Sequence, residues 1–270
     1  MRAILNGYRF LNTLSVDVAL GAMVSCLFLC SAFGVSVSWQ TVLCLGLAVW
    51  LIYTVDHLLD AKRMKGGATT PRHQFHSRNF KIMLWLAIAG AAVAAFLLLA
   101  IETGILIVGV VLTAFVMIYF LLLKRLSVAK EVFGAVLYFS GVMIPVIATR
   151  PEGDFLTMSG ILFFLLVLIN LILFSWFDLD ADAEHEHKTV ATQLGSKGTR
   201  LLLGVLYAIT GLYLSTGFYA VISQRLWFTF IAMYLLLLIV FIFPEWHKKD
   251  ERYRVVGDFV FFLPLAYLIV

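Results

Sequence analysis

The stretch that decides the fold is residues 155–188, FLTMSGILFFLLVLINLILFSWFDLDADAEHEHK. Its first 23 residues carry no charged side chain, and a helix needs roughly 20 apolar residues to cross the hydrocarbon core of a bilayer. Five acidic residues then follow within nine positions. The stretch therefore predicts a transmembrane helix that delivers a cluster of carboxylates to one surface of a membrane.

The whole chain shares the apolar character of this run. Of its 270 residues, 62% are hydrophobic and 13% are charged, whereas a soluble globular domain has roughly 45–50% apolar and about 25% charged residues. This composition excludes a water-soluble protein, and it excludes a disordered chain, which would be poor in apolar residues. Because no polar domain remains to hold nucleic acid, the net charge of +4 is interpreted as a signal of topology.

Nine apolar runs of this kind occur in the chain, separated by polar residues, glycine or proline. They cover residues 11–33, 39–59, 80–101, 104–123, 132–148, 155–177, 200–222, 226–244 and 255–270. Each run is continuously apolar, whereas the strands of a membrane β-barrel alternate in polarity. The sequence predicts an all-α integral membrane protein, with one transmembrane domain over residues 1–270 and about nine transmembrane helices.

The distribution of basic residues agrees with this helix count. If nine helices alternate in direction, eighteen of the 20 Lys and Arg residues fall on one side, and only Arg150 and Arg225 fall on the other. Positively charged residues collect on cytoplasmic loops. The sequence therefore predicts a multi-pass protein of the cell membrane with a cytoplasmic N-terminus, an outer C-terminus, and the long polar loops 60–79 and 178–199 in the cytoplasm.

Two pairs of aspartates lie at the predicted cytoplasmic ends of the second and sixth spans. Asp56 and Asp60 form one pair, and Asp178 and Asp182 form the other. Residues four apart share one face of a helix, and two like charges at a helix C-terminus destabilise it. A nearby cation is therefore expected, and Mg²⁺ prefers such oxygen ligands together with substrate phosphates. The alternative is that these are water-exposed charges at helix ends.

The two pairs also occupy equivalent places in the chain. Each ends the second helix of a four-span set, the first set covering about 11–123 and the second about 132–244, with 255–270 as a ninth span. This arrangement is typical of an internal duplication that brings two acidic sites together around a central cavity.

These motifs resemble those of the UbiA superfamily of intramembrane prenyltransferases. Asp178-Leu-Asp-Ala-Asp182, followed by Lys188-Thr-Val-Ala-Thr-Gln-Leu-Gly195, is similar to the family's second Asp-rich motif and its trailing Thr-Leu-x-x-x-Leu-Gly segment. Tyr119-Phe-Leu-Leu-Leu-Lys-Arg125 is similar to the stretch with Tyr and Lys-Arg after the family's fourth helix.

The first Asp-rich motif departs from the family pattern Asn-Asp-x-x-Asp-x-x-x-Asp. Asp56 and Asp60 match its last two acids, while Ile52 and Tyr53 stand at the Asn and first Asp positions. Ser175 also stands where many members have a further Asp.

The resemblance implies a role for a set of polar residues. Asp56, Asp60, Asp178 and Asp182 would bind the Mg²⁺ that bridges the diphosphate of a polyprenyl donor. Lys124, Arg72 and Lys188 are candidates for a cationic clamp on the departing diphosphate. A purely topological role is the alternative for Arg72 and Lys188.

Further candidates belong to the prenyl and acceptor side of the site. Tyr53, Tyr138 and Phe177 would shelter the allylic cation with their aromatic faces. Asp17 and Asp258 lie near the predicted cytoplasmic starts of the first and ninth spans, where either would act as a base toward the acceptor. A helix-start role is the alternative for both.

Three functions are consistent with these features. The first is Mg²⁺-dependent transfer of a prenyl group from a polyprenyl diphosphate to a small acceptor, for which an aromatic compound is one candidate. This reaction would take place within the membrane lipid. The second keeps the fold but changes the reaction, to a UbiA-type terpene cyclase or a phosphoribosyl-type transferase. The third is a noncatalytic lipid-binding protein or transporter. Mg²⁺ dependence and product analysis distinguish the three.

Overall fold

The computed structural model describes residues 10–63, 71–122, 130–150, 157–184, 187–217 and 223–269. Within these ranges we number fourteen α-helices: α1 (Val16–Ala32), α2 (Trp39–Arg63), α3 (Pro71–Arg78), α4 (Phe80–Leu98), α5 (Thr103–Leu122), α6 (Lys130–Val142), α7 (Ile144–Thr149), α8 (Met158–Phe177), α9 (Leu179–Glu184), α10 (Val190–Gly217), α11 (Gln224–Ile242), α12 (Pro244–Lys248), α13 (Arg252–Phe259) and α14 (Leu265–Ile269). Two 3₁₀ turns, Lys249–Glu251 and Val260–Phe262, flank α13.

Five of these helices are long and apolar enough to cross a membrane. The spans are Trp39–Leu59 of α2, Phe80–Leu98 of α4, Met158–Phe177 of α8, Val190–Thr216 of α10 and Gln224–Ile242 of α11. Two shorter apolar helices, Val16–Ala32 and Thr103–Tyr119, lie on predicted spans as well. The chain is a multi-pass, all-helical membrane protein, as the apolar runs predict, and the count of nine transmembrane helices stays a prediction.

Two of the predicted spans are broken into shorter helices. The predicted span 132–148 divides into α6 and α7, and Pro145 lies in the first turn of α7. The predicted span 255–270 divides into α13, a 3₁₀ turn and α14, with Pro264 before α14. Proline has no backbone N–H and its ring clashes with the preceding turn, so a continuous helix is not expected at either position.

Helix α10 begins ten residues earlier than the predicted span 200–222. Its first turn starts at Val190, and the helix breaks at Gly195, whose φ of 66° lies in the left-handed region. Glycine adopts this conformation without the penalty that a Cβ atom imposes. The polar segment after the second Asp-rich motif is therefore a short helical turn joined to a membrane-crossing helix.

Helix α8 is the centre of the bundle. Two-thirds of its apolar span (67%) is buried inside the protein, against 17% for α4, which faces outward. It packs against α1, α6, α10, α11 and α13, and Phe163, Leu166 and Ile169 are completely buried along it. The helix that delivers Asp178 is thus the one held most firmly by its neighbours.

Candidate active site

Asp178 lies at the C-terminal end of this central helix. Its backbone N–H still donates to Phe174 O at 2.9 Å, and its own carbonyl accepts from the N–H of Asp182 at 2.8 Å. The turn between α8 and α9 therefore preserves a helix-like relation between the two aspartates. The sequence prediction that they share a register is consistent with this geometry.

Two residues from α13 contact the Asp178 carboxylate. The Tyr253 hydroxyl donates to Oδ1, and Arg254 Nη2 donates to Oδ2 at 2.7 Å. Arg254 also approaches Glu251 Oε2 at 3.8 Å. The side chains of Asp178 and Arg254 are 22% and 23% exposed, so the ion pair is largely shielded from water. A cation does lie at this helix end, as the charge argument predicts, and here it belongs to the protein itself.

Aromatic rings frame this ion pair. Phe177 stacks on Tyr253 with ring centroids 4.5 Å apart and an interplanar angle of 12°, and Phe174 meets Tyr253 edge-on at 5.7 Å. The Arg254 guanidinium carbon lies 5.2 Å from the Tyr253 ring centroid. Phe177 thus packs on the tyrosine that donates to Asp178, and its predicted role toward the allylic cation stays a prediction.

The electrostatics of this cluster keep both α13 residues protonated. Burial alone would lower the pKa of Arg254, but the neighbouring carboxylates, with Asp178 foremost, raise it above its usual range. Burial raises the pKa of the Tyr253 phenol, an effect that Arg254 opposes and Asp178 reinforces. Tyr253 is therefore a hydrogen-bond donor, and Arg254 a permanent cation, at physiological pH.

The remaining acids of this cluster have different surroundings. Asp182 is largely shielded and lies 3.6 Å from His187 Nδ1. Asp180 points outward with 83% of its side chain exposed and pairs with Lys248 Nζ at 2.9 Å. Asp178 and Asp182 are thus largely shielded, whereas Asp180, which lies between them in the sequence, is a surface residue.

The segment after the motif begins with a pair of threonines that cap α10. Thr189 Oγ1 accepts from Thr192 N at 3.2 Å, and Thr192 Oγ1 accepts from Thr189 N at 2.8 Å. This reciprocal pairing is a capping box in which threonine takes the place of the usual Glu or Gln. Lys188, a predicted clamp residue, lies just before it and is exposed.

Two buried side chains bind the next backbone N–H groups of α10. Glu131 Oε1 accepts from Val190 N at 3.1 Å, and Ser175 Oγ accepts from Ala191 N at 3.3 Å. Ser175, which departs from the family pattern, therefore fastens the motif's trailing segment to α8. The orphan donors of the helix N-terminus are satisfied by neighbouring helices.

Glu131 is a site residue that the sequence prediction missed. It is 7% exposed, and its Oε2 has no hydrogen-bond partner among the described residues. It precedes the apolar run that begins at Val132, and burial raises its pKa, while hydrogen bonds from backbone N–H groups and Ser175 oppose the rise. Its partners lie on other helices, so no spacing pattern in the sequence indicates it.

The first Asp-rich motif lies on α2. Asp56 is half-buried, and its charge and that of Glu131 both act on the Tyr119 phenol of α5. Asp60 lies on the same helix, four residues later, and its side chain is outside the described part of the structure.

Histidines pack α3 against this part of α2. The His57 and His76 rings lie 4.8 Å apart, and His57 Nε2 is 3.2 Å from Ser15 Oγ. Arg72 lies in the first turn of α3, although its side chain is not among those described, and Lys124 falls outside the described residues. The geometry of these two predicted clamp residues is therefore not described.

The two aspartates assigned to the acceptor side meet through one amide. Asn12 Nδ2 donates to Asp17 Oδ2 at 2.6 Å and to Asp258 Oδ2 at 3.0 Å. Asp17 is 1% exposed. The structure therefore brings together two candidates that the sequence could place only on separate spans. The Tyr138 ring meets Phe261 with centroids 5.5 Å apart, and the Tyr53 ring lies 6.5 Å from His57.

The donor set at Asp178 and Asp182 fits a hard cation. Asp178 ends α8 and Asp182 lies on the short helix α9 that follows, and each already lies beside a basic side chain. Within the described ranges, no group of three or more His, Cys, Asp and Glu side chains is arranged to hold a metal ion.

The fold and the site define a class of protein, a helical membrane bundle whose central helix ends at a carboxylate paired with an arginine. The segment after this carboxylate carries a threonine cap at the start of the next long helix. The model of the UbiA prenyltransferase family matches residues 55–265. The chain belongs to the UbiA prenyltransferase family. No curated protein sequence matches it significantly.

Solved structures share the fold at low sequence identity. A UbiA homologue from Archaeoglobus fulgidus bound to GPP and Mg²⁺ has a TM-score of 0.67 and 14% identity, covering 97% of this chain and 99% of that one. The A. fulgidus homologue bound to DMAPP and Mg²⁺ has a TM-score of 0.64, with the same identity and coverage. The apo homologue from Aeropyrum pernix K1 has a TM-score of 0.64 and 16% identity, covering 96% of both chains.

Proposed function

We propose that the chain is an Mg²⁺-dependent enzyme that ionises a prenyl diphosphate at the cytoplasmic face of the membrane and transfers the prenyl group to a small acceptor. The observation that carries this proposal is the Asp178 carboxylate, held at the end of the buried central helix by Arg254 and Tyr253. Family membership supports it, as does the related fold of a homologue bound to GPP and Mg²⁺.

The paired carboxylates are the proposed metal ligands. Asp178 and Asp182 from one side, with Asp56 and Asp60 from the other, would hold Mg²⁺ against the diphosphate. When bound, the metal neutralises negative charge that develops on the departing diphosphate. Lys124, Arg72 and Lys188 are proposed to bind the diphosphate oxygens directly.

The chain's own residues position the rest of the reaction. Glu131 and Ser175 hold the segment that follows Asp182 against α6 and α8, so the second motif is presented in one conformation. Tyr53 and Tyr138 are proposed to line the prenyl side, and Asp17 and Asp258 to receive the proton that the acceptor loses. The contact of both aspartates with the Asn12 amide supports a shared role for Asp17 and Asp258.

The proposed topology follows from the charges. One transmembrane domain of about nine helices, made of two four-span repeats and a ninth span, places the N-terminus and the site in the cytoplasm and the C-terminus outside. The extent of the family match, residues 55–265, supports a single unit.

The test is a turnover assay on purified protein in lipid nanodiscs. Labelled prenyl diphosphates of several chain lengths are supplied with MgCl₂, and diphosphate release is measured. Asp56→Ala and Asp182→Ala are expected to lower turnover by about 10²-fold or more, while Asp180→Ala, the matched surface aspartate, leaves it unchanged. The proposal fails if no donor is bound or consumed, or if the two motif variants bind donor as well as wild type does.

The same assay separates the competing reactions. With donor alone, a cyclic product identified by mass spectrometry would indicate a terpene cyclase, because cyclisation needs no acceptor. Binding of lipid that is unaffected by EDTA, without turnover, would indicate a lipid-binding protein or transporter.

A further inference from the structure

We propose that Arg254 is a built-in counter-ion that occupies the Asp178 carboxylate before substrate arrives and then transfers to the diphosphate when Mg²⁺ binds that carboxylate. This inference rests on the proposed function, since it assigns one more residue to the same diphosphate site. It also predicts that Arg254 opposes the binding of metal alone and assists the binding of diphosphate.

Asp178 has little space for a metal ion while Arg254 is paired with it. Both of its oxygens already accept hydrogen bonds, Oδ1 from Tyr253 and Oδ2 from Arg254 at 2.7 Å. Mg²⁺ binds a carboxylate oxygen at about 2.0–2.1 Å, so an ion on Oδ2 would lie within about 5 Å of the guanidinium nitrogen. Two cations this close disfavour each other in a shielded site. Arg254 therefore has to leave Oδ2 when the metal binds there.

The Arg254 side chain can move away from Asp178 and still remain beside the site. Its side chain is 23% exposed, so it has a path away from Asp178. The guanidinium lies 5.2 Å from the Tyr253 ring and 5.9 Å from the Phe174 ring. These faces keep the side chain beside the site after the ion pair opens. Diphosphate brings the negative charge that allows the metal and the guanidinium to remain close together.

Arginine suits this exchange of partners better than lysine does. A guanidinium presents a planar fork of N–H donors that matches phosphate oxygens in a bidentate manner, whereas a lysine ammonium acts as a point charge. Tyr253 is fixed by its stacking on Phe177, so Asp178 keeps one oriented oxygen while the other changes partner. Only the arginine moves in the exchange.

The experiment compares Arg254→Gln with Arg252→Gln. Arg252 lies on the same helix, pairs with Asp250 at 3.4 Å and covers the Trp246 ring at 4.5 Å, so its variant removes the same charge without touching Asp178. Mn²⁺ alone is titrated by electron paramagnetic resonance, and geranyl diphosphate is titrated by calorimetry in excess Mg²⁺. Thermal melting confirms that each variant is folded.

The expected results for the two ligands have opposite signs. Arg254→Gln binds Mn²⁺ about tenfold more tightly than wild type and geranyl diphosphate about tenfold more weakly, the effect of one charged hydrogen bond. Arg252→Gln changes both affinities less than about twofold. Arg254→Lys keeps the charge but loses the fork, so it binds Mn²⁺ like wild type and geranyl diphosphate more weakly.

Each other outcome is decisive. If Arg254→Gln binds Mn²⁺ no more tightly than wild type, or if it matches Arg252→Gln for both ligands, the counter-ion role is wrong while the proposed function stands. If Arg254→Gln does not fold, the Arg254→Lys result decides the diphosphate role. If wild type binds neither geranyl diphosphate nor a longer prenyl diphosphate at any Mg²⁺ concentration, the proposed function itself fails, and this inference fails with it.

Discussion

The two Asp-rich motifs share one spacing but differ in their surroundings. The second motif ends α8, which is two-thirds buried, and its Asp178 is bound by two side chains from a helix about 75 positions away. The first motif lies on α2, whose apolar span is only 33% buried, and Asp56 is half-buried there. Identical spacing therefore specifies a register on a helix, while the packing of the helix that carries it differs between the two motifs.

The largest expected effect comes from removing the anchored carboxylate. Asp178→Ala should lower prenyl transfer by about 10²–10³-fold, because a metal ligand and a fixed charge are both lost, and it should also lower the melting temperature, because Arg254 loses its partner. Asp56→Ala should lower transfer with a smaller change in melting temperature, because the span of α2 is 33% buried against 67% for α8. Turnover and thermal melting in detergent measure both. Equal melting temperatures for the two variants would break the comparison.

A second substitution should disturb only the anchored motif, through packing. A Cβ atom at Gly257 would lie 2.5 Å from Phe174 Cε1 and 2.6 Å from Asn170 Oδ1, so Gly257→Ala should push α13 from α8 and cost about 1–3 kcal/mol of stability. Gly204→Ala is the control, since nothing lies within 4 Å of its added Cβ. If both variants melt alike, α13 does not hold the second motif.

A subtler change removes one hydrogen bond from Asp178 and leaves the packing intact. Tyr253→Phe keeps the stacking on Phe177 but deletes the hydroxyl that orients Oδ1. Loss of a partner that orients a metal ligand typically costs 10–100-fold in metal affinity, and we expect the lower end, about tenfold, in Mn²⁺ binding. Tyr234→Phe, on α11 and bonded to Tyr207 O, is the control. Unchanged Mn²⁺ affinity in Tyr253→Phe would contradict an orienting role.

The smallest expected effect is a change in pH dependence. Burial raises the pKa of Glu131 in the folded protein, so the unfolded state ionises first as pH rises. The melting temperature should therefore fall as pH rises from the ordinary glutamate range through the raised folded pKa. Glu131→Gln retains an acceptor for Val190 N and should remove most of this slope. Parallel pH profiles for the two proteins would rule out Glu131 as the cause.

The lengths of the apolar runs in the sequence made much of the fold predictable. Apolar runs identified the helices because burial in lipid demands about 20 consecutive apolar residues, and five of them correspond to helices long enough to cross a membrane. The breaks before α7 and α14 were less evident, although Pro145 and Pro264 are visible in the sequence. The mean hydropathy of a long stretch of sequence changes little when one of its residues is proline.

The candidate site was predictable only where one helix carries its members. Asp178 and Asp182 follow from spacing, since they lie four residues apart. Arg254 was counted only among the basic residues of the cytoplasmic side and Tyr253 was not singled out, because pairing across about 75 positions leaves no periodic signal. Glu131 was missed for the same reason, since its partners Ser175 and Val190 lie on other helices.

The amide of Asn12 bridges residues 246 positions apart, from the start of the chain's first described helix to α13. Because α13 also supplies Tyr253 and Arg254, the contact with Asn12 and the partners of Asp178 both come from a segment that a ribosome makes well after the two Asp-rich motifs. A nascent chain that has not yet reached α13 would hold all four motif aspartates without the residues that orient Asp178. Assembly of the site is thus coupled to completion of the bundle.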